Sequence, residues 1–291
     1  MIRGLFRFIY NVLRMFVRLL DLVVRGVFYA LLIFGIGVLV AFFFHPEPDV
    51  PAGSALMLRP VGTIVEQAEL DQPLALLRAG GAPAGQIRLA DLTKAVRSAR
   101  DDERITALVI ETDELVGGGL SKLAELRAAI AHFKTSGKPV LARGERFTQS
   151  QYYLASVADE VHLSPDGFVL LRGLARYGTY FKDALDKLGV KVHVFRVGEY
   201  KSFSEPFTRN DMSDEDREST RDLLDGLWGI MRDDIAASRK LTPEAVDAQV
   251  NGIRAALAAS GGDAAQAALK SGLVDRFSTR DEWRARLIEA T

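Results

Sequence analysis

The stretch Ile105-Thr106-Ala107-Leu108-Val109-Ile110-Glu111, followed closely by Val116-Gly117-Gly118-Gly119, is where the fold becomes legible. A short, nearly continuous apolar run is the pattern of a strand buried on both faces, and such strands belong to parallel sheets covered by helices. Working outward, residues 121–135 read as a helix ending near Gly137, 139–142 as a strand, 149–157 as a helix and 160–163 as a strand. Residues 177–188 then read as a helix stopped by Gly189, and 190–197 as a strand. Upstream, 87–100 repeats apolar residues at helical spacing, 80–85 is a loop, and 56–65 is one strand or a bent pair. From Asp214 onward the pattern is largely helical, with Ser213 at the N-cap and acids in the first turn. The last segment reads as helix, short strand at 273–275, and helix through Trp283. Strands and helices that alternate with short connections predict an α/β fold with mostly parallel strands and flanking helices.

The N-terminus has a different character. No charged residue occurs in 27–44, and eighteen helical residues span about 27 Å, close to the hydrocarbon thickness of a bilayer. Phe42-Phe43-Phe44 stands where a cleaved leader would carry small residues. Before this stretch, Arg3, Arg7, Arg14, Arg18 and Arg25 fall within about 60° of one helical face, with Leu5, Phe6, Ile9, Leu13, Phe16 and Leu20 on the others. That pattern predicts an interfacial helix on anionic headgroups before the chain turns into the membrane. Positive charge before the span, and Glu47 and Asp49 after it, predict a cytoplasmic N-terminus and an extracytoplasmic body. The expected domains are a basic amphipathic helix (1–26), a membrane span (27–44), a linker (45–55) and one large α/β unit (56–291).

The formal net charge is −1, yet the first twenty-five residues carry five arginines and one acid. The basic character is local to the membrane end, so a nucleic-acid partner is not expected. With no cysteine, there is no disulfide, thiolate nucleophile or cysteine-based metal site. The four histidines lack ligand spacing, so no metal is expected; His162 and His193 fall in strand patterns. No motif calls for a cofactor.

Two features carry chemistry. Gly117, Gly118 and Gly119 follow a buried strand and open a helix, so their amides could cradle an oxyanion or a phosphate. A simple flexible turn fits equally, because neither P-loop nor dinucleotide spacing is present. The second is Lys201, set among Tyr200, Phe203, Pro206 and Phe207. A lysine in apolar company is desolvated and becomes available as a base; the other reading is an exposed lysine in a loop. Ser202 is its neighbour, but adjacent residues of an extended segment face opposite ways. Ser150 opens a helix, where a developing anion is favoured, and an ordinary first-turn serine sits in the same place.

The combination Gln149-Ser150-Gln151-Tyr152-Tyr153-Leu154-Ala155-Ser156, Leu163-Ser164-Pro165, His193-Val194-Phe195-Arg196-Val197-Gly198-Glu199-Tyr200-Lys201-Ser202, Glu205-Pro206-Phe207, Asp211-Met212-Ser213 and Gly261-Gly262-Asp263 closely resembles the long form of the signal peptide peptidase A family, over essentially the whole chain. The resemblance implies a ClpP/crotonase-like fold present as two tandem repeats, an anchor in the bacterial inner membrane with the body in the periplasm, and a homo-oligomer that cuts remnant signal peptides. It implies a serine–lysine dyad in which Lys201 is the general base and a second repeat supplies the serine from a Ser-Gly-Gly-Tyr-like motif. That motif is not in this sequence; Gln149 holds the corresponding place and Ser150 is one residue out of register. The working oxyanion donors would belong with that serine, although Gly117 to Gly119 resemble the family's glycine region in position. The expectation is therefore the lysine-bearing half of a serine endopeptidase, inactive or nearly so alone, with peptide substrates, the lipid bilayer and a serine-bearing repeat as partners. The alternatives are a non-catalytic membrane scaffold of the same fold and, less suited to an extracytoplasmic domain, an acyl-CoA enzyme.

Overall fold

The computed structural model describes residues 2–43, 50–68 and 85–291. Residues 45–49 of the expected linker, residues 80–84 of the expected loop, and Phe44 at the end of the expected span lie outside these residues. The chain divides into two compact units, Met1–Val50 and Pro51–Thr291.

The first unit is one uninterrupted helix, α1 (Ile2–Phe43). The amphipathic and apolar stretches are thus continuous, with no turn between them at Gly26. Its segment Leu13–Ala41 has a mean hydropathy of 2.3 and is wholly exposed, which is the length and composition of a membrane-crossing helix.

The second unit is built on two parallel sheets. The larger has the order β1 (Ser54–Leu58), β4 (Ile105–Glu111), β6 (Val140–Gly144), β7 (Glu160–Leu163) and β8 (Arg276–Phe277). The smaller has the order β3 (Gln86–Arg88), β2 (Gly62–Val65) and β5 (Leu115–Gly117). All pairings are parallel. The run that announced the fold is central, with Ala107, Leu108, Val109 and Ile110 fully buried. On one face, α11 (Arg280–Ala290) packs Trp283 against Val109 and Leu141. Elsewhere in the core, α2 (Leu89–Asp101), α3 (Leu120–Lys134) and α4 (Gln149–Ala155) bury Val96, Leu126, Ile130, Phe133, Tyr152 and Tyr153. The Tyr152 hydroxyl donates to the Leu273 carbonyl at 2.6 Å, so the buried ring keeps its polar end satisfied.

Beyond β7 lie α5 (Lys182–Lys187), a single 3₁₀ turn (Ser202–Ser204), α6 (Glu205–Thr208) and the long α7 (Asp214–Arg239). α8 (Pro243–Asn251), α9 (Ile253–Ala259) and α10 (Ala264–Lys270) then lead into β8. Ser213 caps α7 by accepting the Asp216 amide at 3.1 Å, as its position predicts.

Five local expectations change. Residues 56–65 form two strands that enter different sheets; the break falls before Gly62, whose φ of +80° and close approach to the Gly85 backbone exclude any side chain. Ile87 and Arg88 belong to β3, so the helix starts two residues later than its periodicity suggests. The helix read across 177–188 is confined to Lys182–Lys187, because Phe181 instead donates its amide to the Pro206 carbonyl. Residues 190–197 form no strand. Phe195 is 99% exposed and Val197 85% exposed. Strand preference reflects fit to a half-buried pleated surface, and this segment has no strand beside it among the described residues. The last short strand likewise falls at Arg276–Phe277 instead of 273–275.

Candidate functional site

The glycine triplet is positioned by the smaller sheet. β5 carries the chain through Gly118 to Gly119, the N-cap of α3, at φ +74°. A Cβ on Gly118 would lie 2.9 Å from the Ile64 Cβ of β2, so a glycine is required for the two segments to meet. α4 begins next to this turn. Thr148 and Gln151 form a capping box. Gln151 Nε2 also donates to the Leu115 carbonyl at 2.9 Å, tying α4 to β5.

Ser150, half-buried in the first turn of α4, lines a cavity of about 310 Å³ with Val116, Gln149, Leu170 and Arg172. Gln149 is engaged with its own chain: its Oε1 accepts the Arg172 amide at 2.9 Å, and its Nε2 donates to the Gly173 carbonyl at 3.1 Å. The structure therefore brings Gln149 and Ser150 together beside Val116 of β5, while Gly117, Gly118 and Gly119 do not line that cavity.

Lys201 lies elsewhere, in the loop entering the 3₁₀ turn before α6. It is exposed. Tyr200, Phe203 and Phe207 are exposed as well, so within this chain the apolar neighbours do not desolvate it, and the reading of a lysine buried in apolar company is corrected. The sequence pattern could not reveal this, because aromatic neighbours in sequence bury a side chain only if another surface closes over them. No hydrogen bond or ion pair joins the Lys201 amine to Gln149, Ser150 or the glycines among the described residues.

The backbone around Lys201 is held firmly. Arg196 Nη1 donates to the Lys201 carbonyl at 2.6 Å and lies 4.0 Å from Glu205 Oε1. Glu205 is 2% exposed, and its Oε2 accepts the Ser213 amide at 3.0 Å. Ser202 Oγ donates to Asp216 Oδ1 at 2.8 Å, and Arg176 Nη1 reaches the same oxygen at 2.9 Å. Burial pushes the Asp216 carboxyl up, but the bonds from Arg176 and Ser202 outweigh it and hold the group below its ordinary range. Sequence reading found the N-cap at Ser213 but missed Arg176, Arg196, Glu205 and Asp216. Arg196 and Glu205 carried a signal, through the motifs that contain them; Arg176 and Asp216 depend on a contact across 40 residues.

His162 is buried, its Nε2 3.1 Å from Glu160 Oε2 and its ring 4.9 Å from that of Trp283. His193 is exposed. Among the described residues no group of three or more His, Asp or Glu side chains is arranged to hold a metal.

The sequence matches the model of peptidase family S49 over residues 132–291. It is 36% identical over 283 residues to Protease 4 of Salmonella typhi, covering 96% of this chain and 45% of that protein. It is 39% identical over 190 residues to Protease 4 of Haemophilus influenzae, covering 65% of this chain and 31% of that protein. The chain thus spans less than half the length of these relatives. Among solved structures it is similar to a membrane-bound stomatin-specific protease at 10% identity, with a TM-score of 0.43 over 81% of this chain and 84% of that one.

Proposed function

Because the chain belongs to peptidase family S49, we propose that it is the lysine-bearing half of a membrane-anchored serine endopeptidase. In this reading Lys201 is the general base of a serine–lysine dyad, and a second repeat provides the nucleophile. The unprotonated amine removes the serine hydroxyl proton as the oxygen attacks a peptide carbonyl, and returns it to the leaving amine. The substrates are cleaved signal peptides. The helix α1 anchors the enzyme in the bacterial inner membrane with its arginines on the cytoplasmic side and its body in the periplasm, where those remnants are shed.

One observation carries the division of labour. Lys201 is held by its backbone while its amine has no bonded partner among the described residues, and the hydroxyl of its neighbour Ser202 is committed to Asp216. Gln149, at the place the family resemblance gives to the serine, is committed to Arg172 and Gly173. The base is presented outward, toward a nucleophile that another repeat brings. The side chains of Phe195, Val197 and Phe203, close to it in sequence, are exposed, and in this reading they form the face on which the second repeat docks. Closure of a second repeat over that face would also desolvate the lysine, which favours its neutral form.

The test is reconstitution. The full chain is assayed for peptide cleavage alone and after joining or co-expression with a repeat carrying Ser-Gly-Gly-Tyr. Cleavage only in the combination, abolished by Lys201→Ala, is the expected result. Cleavage that survives Lys201→Ala in the combination overturns the general-base reading and makes this chain a scaffold. Full activity of the chain alone overturns the need for a second repeat.

A further inference from the structure

We infer that Arg196, Ser202 and Asp216 are positioning residues for Lys201, fixing the backbone on both sides of it to the first turn of α7; the inference rests on the reading of Lys201 as the general base. Three observations converge within a few residues. Before Lys201, Gly198 turns the chain at φ +106°, and Arg196 folds back to bind the Lys201 carbonyl. After it, the Ser202 hydroxyl is bonded to Asp216. Asp216 in turn is fixed through its amide to the cap Ser213 and through its carboxylate to Arg176.

The anchor point is suited to the task. α7 is 26 residues long, and a carboxylate in its first turn is stabilised by the helix dipole. Glu205 strengthens the same point from the other side. It is nearly fully buried, its Oε2 holds the Ser213 amide, and its Oε1 has no hydrogen-bond partner among the described residues. A buried carboxylate with an unfilled oxygen attracts a cation. Arg196 is that cation, and it spans from Glu205 to the Lys201 carbonyl.

The arrangement restrains the main chain while leaving the lysine amine unengaged. A surface lysine without a role gains nothing from having its own carbonyl and its neighbour's hydroxyl fastened to a helix cap. A general base gains a great deal, because the ordering of its backbone is complete before the serine arrives, and only side-chain rotation remains. Losing such placement by about 1 Å can reduce a rate about 100-fold.

The experiment uses the assembled enzyme, the full chain together with its serine-bearing repeat, and compares Ser202→Ala, Ser202→Thr, Asp216→Asn and Lys201→Ala. The first and third should lower kcat about 10- to 100-fold with KM changed by less than about twofold, and the threonine, which keeps the hydroxyl, should recover most of the rate. In the chain alone, hydrogen exchange at the amides of 199–204 should quicken in Ser202→Ala and Asp216→Asn while the remainder of the domain is unchanged. Ser202→Ala and Asp216→Asn with kcat within about twofold of wild type, beside an inactive Lys201→Ala, would overturn the positioning role alone. Loss of rate in step with global unfolding, with no recovery by Ser202→Thr, would also overturn it. An active Lys201→Ala would overturn the general-base reading and this inference with it.

Discussion

Gln149 binds Arg172 through the main chain: its amide oxygen accepts the Arg172 N–H at 2.9 Å, while its amide nitrogen donates to the next carbonyl, that of Gly173, at 3.1 Å. One side chain thereby fixes the Arg172–Gly173 backbone against the start of α4. A serine at 149 could not span the same distance with both bonds.

Replacing Gln149 with serine should therefore lower stability by about 1–2 kcal/mol, the value of one part-buried and one exposed hydrogen bond lost together. It should not create peptidase activity in the chain alone, because no bond brings Lys201 to this end of α4. Urea unfolding and a peptide-cleavage assay check the two parts separately, and activity in Gln149→Ser alone would contradict the separation described above.

Lys201→Ala should change folding stability by less than about 0.5 kcal/mol, because the residue is exposed and its side chain makes no bond among the described residues. A substantially larger loss in thermal or urea unfolding of the chain alone would mean that the lysine is packed in solution.

The glycine turn makes a steric prediction. Gly118→Ala puts a methyl 2.9 Å from the Ile64 Cβ, and both belong to well-packed segments. The expected cost is about 1–3 kcal/mol, the range for overpacking. Ile64→Val, which keeps the Cβ that the new methyl meets, should recover none of it, which a double-mutant cycle would measure.

Acid should act through two neighbours under α11. Arg286, first by its hydrogen bond, holds the Glu160 carboxyl down from 4.5 to about 2, against the opposing effect of burial. Its contribution is present above the unfolded value and is lost as pH falls from about 4.5 toward 2. Burial also lowers the His162 pKa from 6.5, outweighing the hydrogen bond with Glu160. The neutral ring is thus favoured in the fold, and stability is complete above about 6.5 and declines as pH falls below it. Urea midpoints from pH 8 to 4 should decline in the wild type from the histidine range downward. His162→Phe should flatten the upper part of that decline, and Arg286→Ala should lower stability at neutral pH by about 1 kcal/mol.

The amino-acid sequence determined the α/β class, the buried central strand, the apolar N-terminal helix, the cap at Ser213 and the family motifs around Lys201. Each of these is a local pattern: a continuous apolar run, a stretch without charge, a hydroxyl three residues before a free amide, or a string of adjacent residues. Tertiary structure alone decided that 56–65 is divided between two sheets and that 190–197 has no strand to join. It also decided that Gln149 is committed to Arg172 and Gly173, and that Arg196, Ser202 and Asp216 fasten the lysine loop to α7. The physical reason is the same in every case. Strand pairing and side-chain hydrogen bonds require a partner whose position is set by the path of the whole chain, and burial requires a surface to close over the residue. The apolar residues beside Lys201 show the difference most plainly, since Tyr200, Phe203 and Phe207 stay exposed and the lysine they accompany is exposed with them.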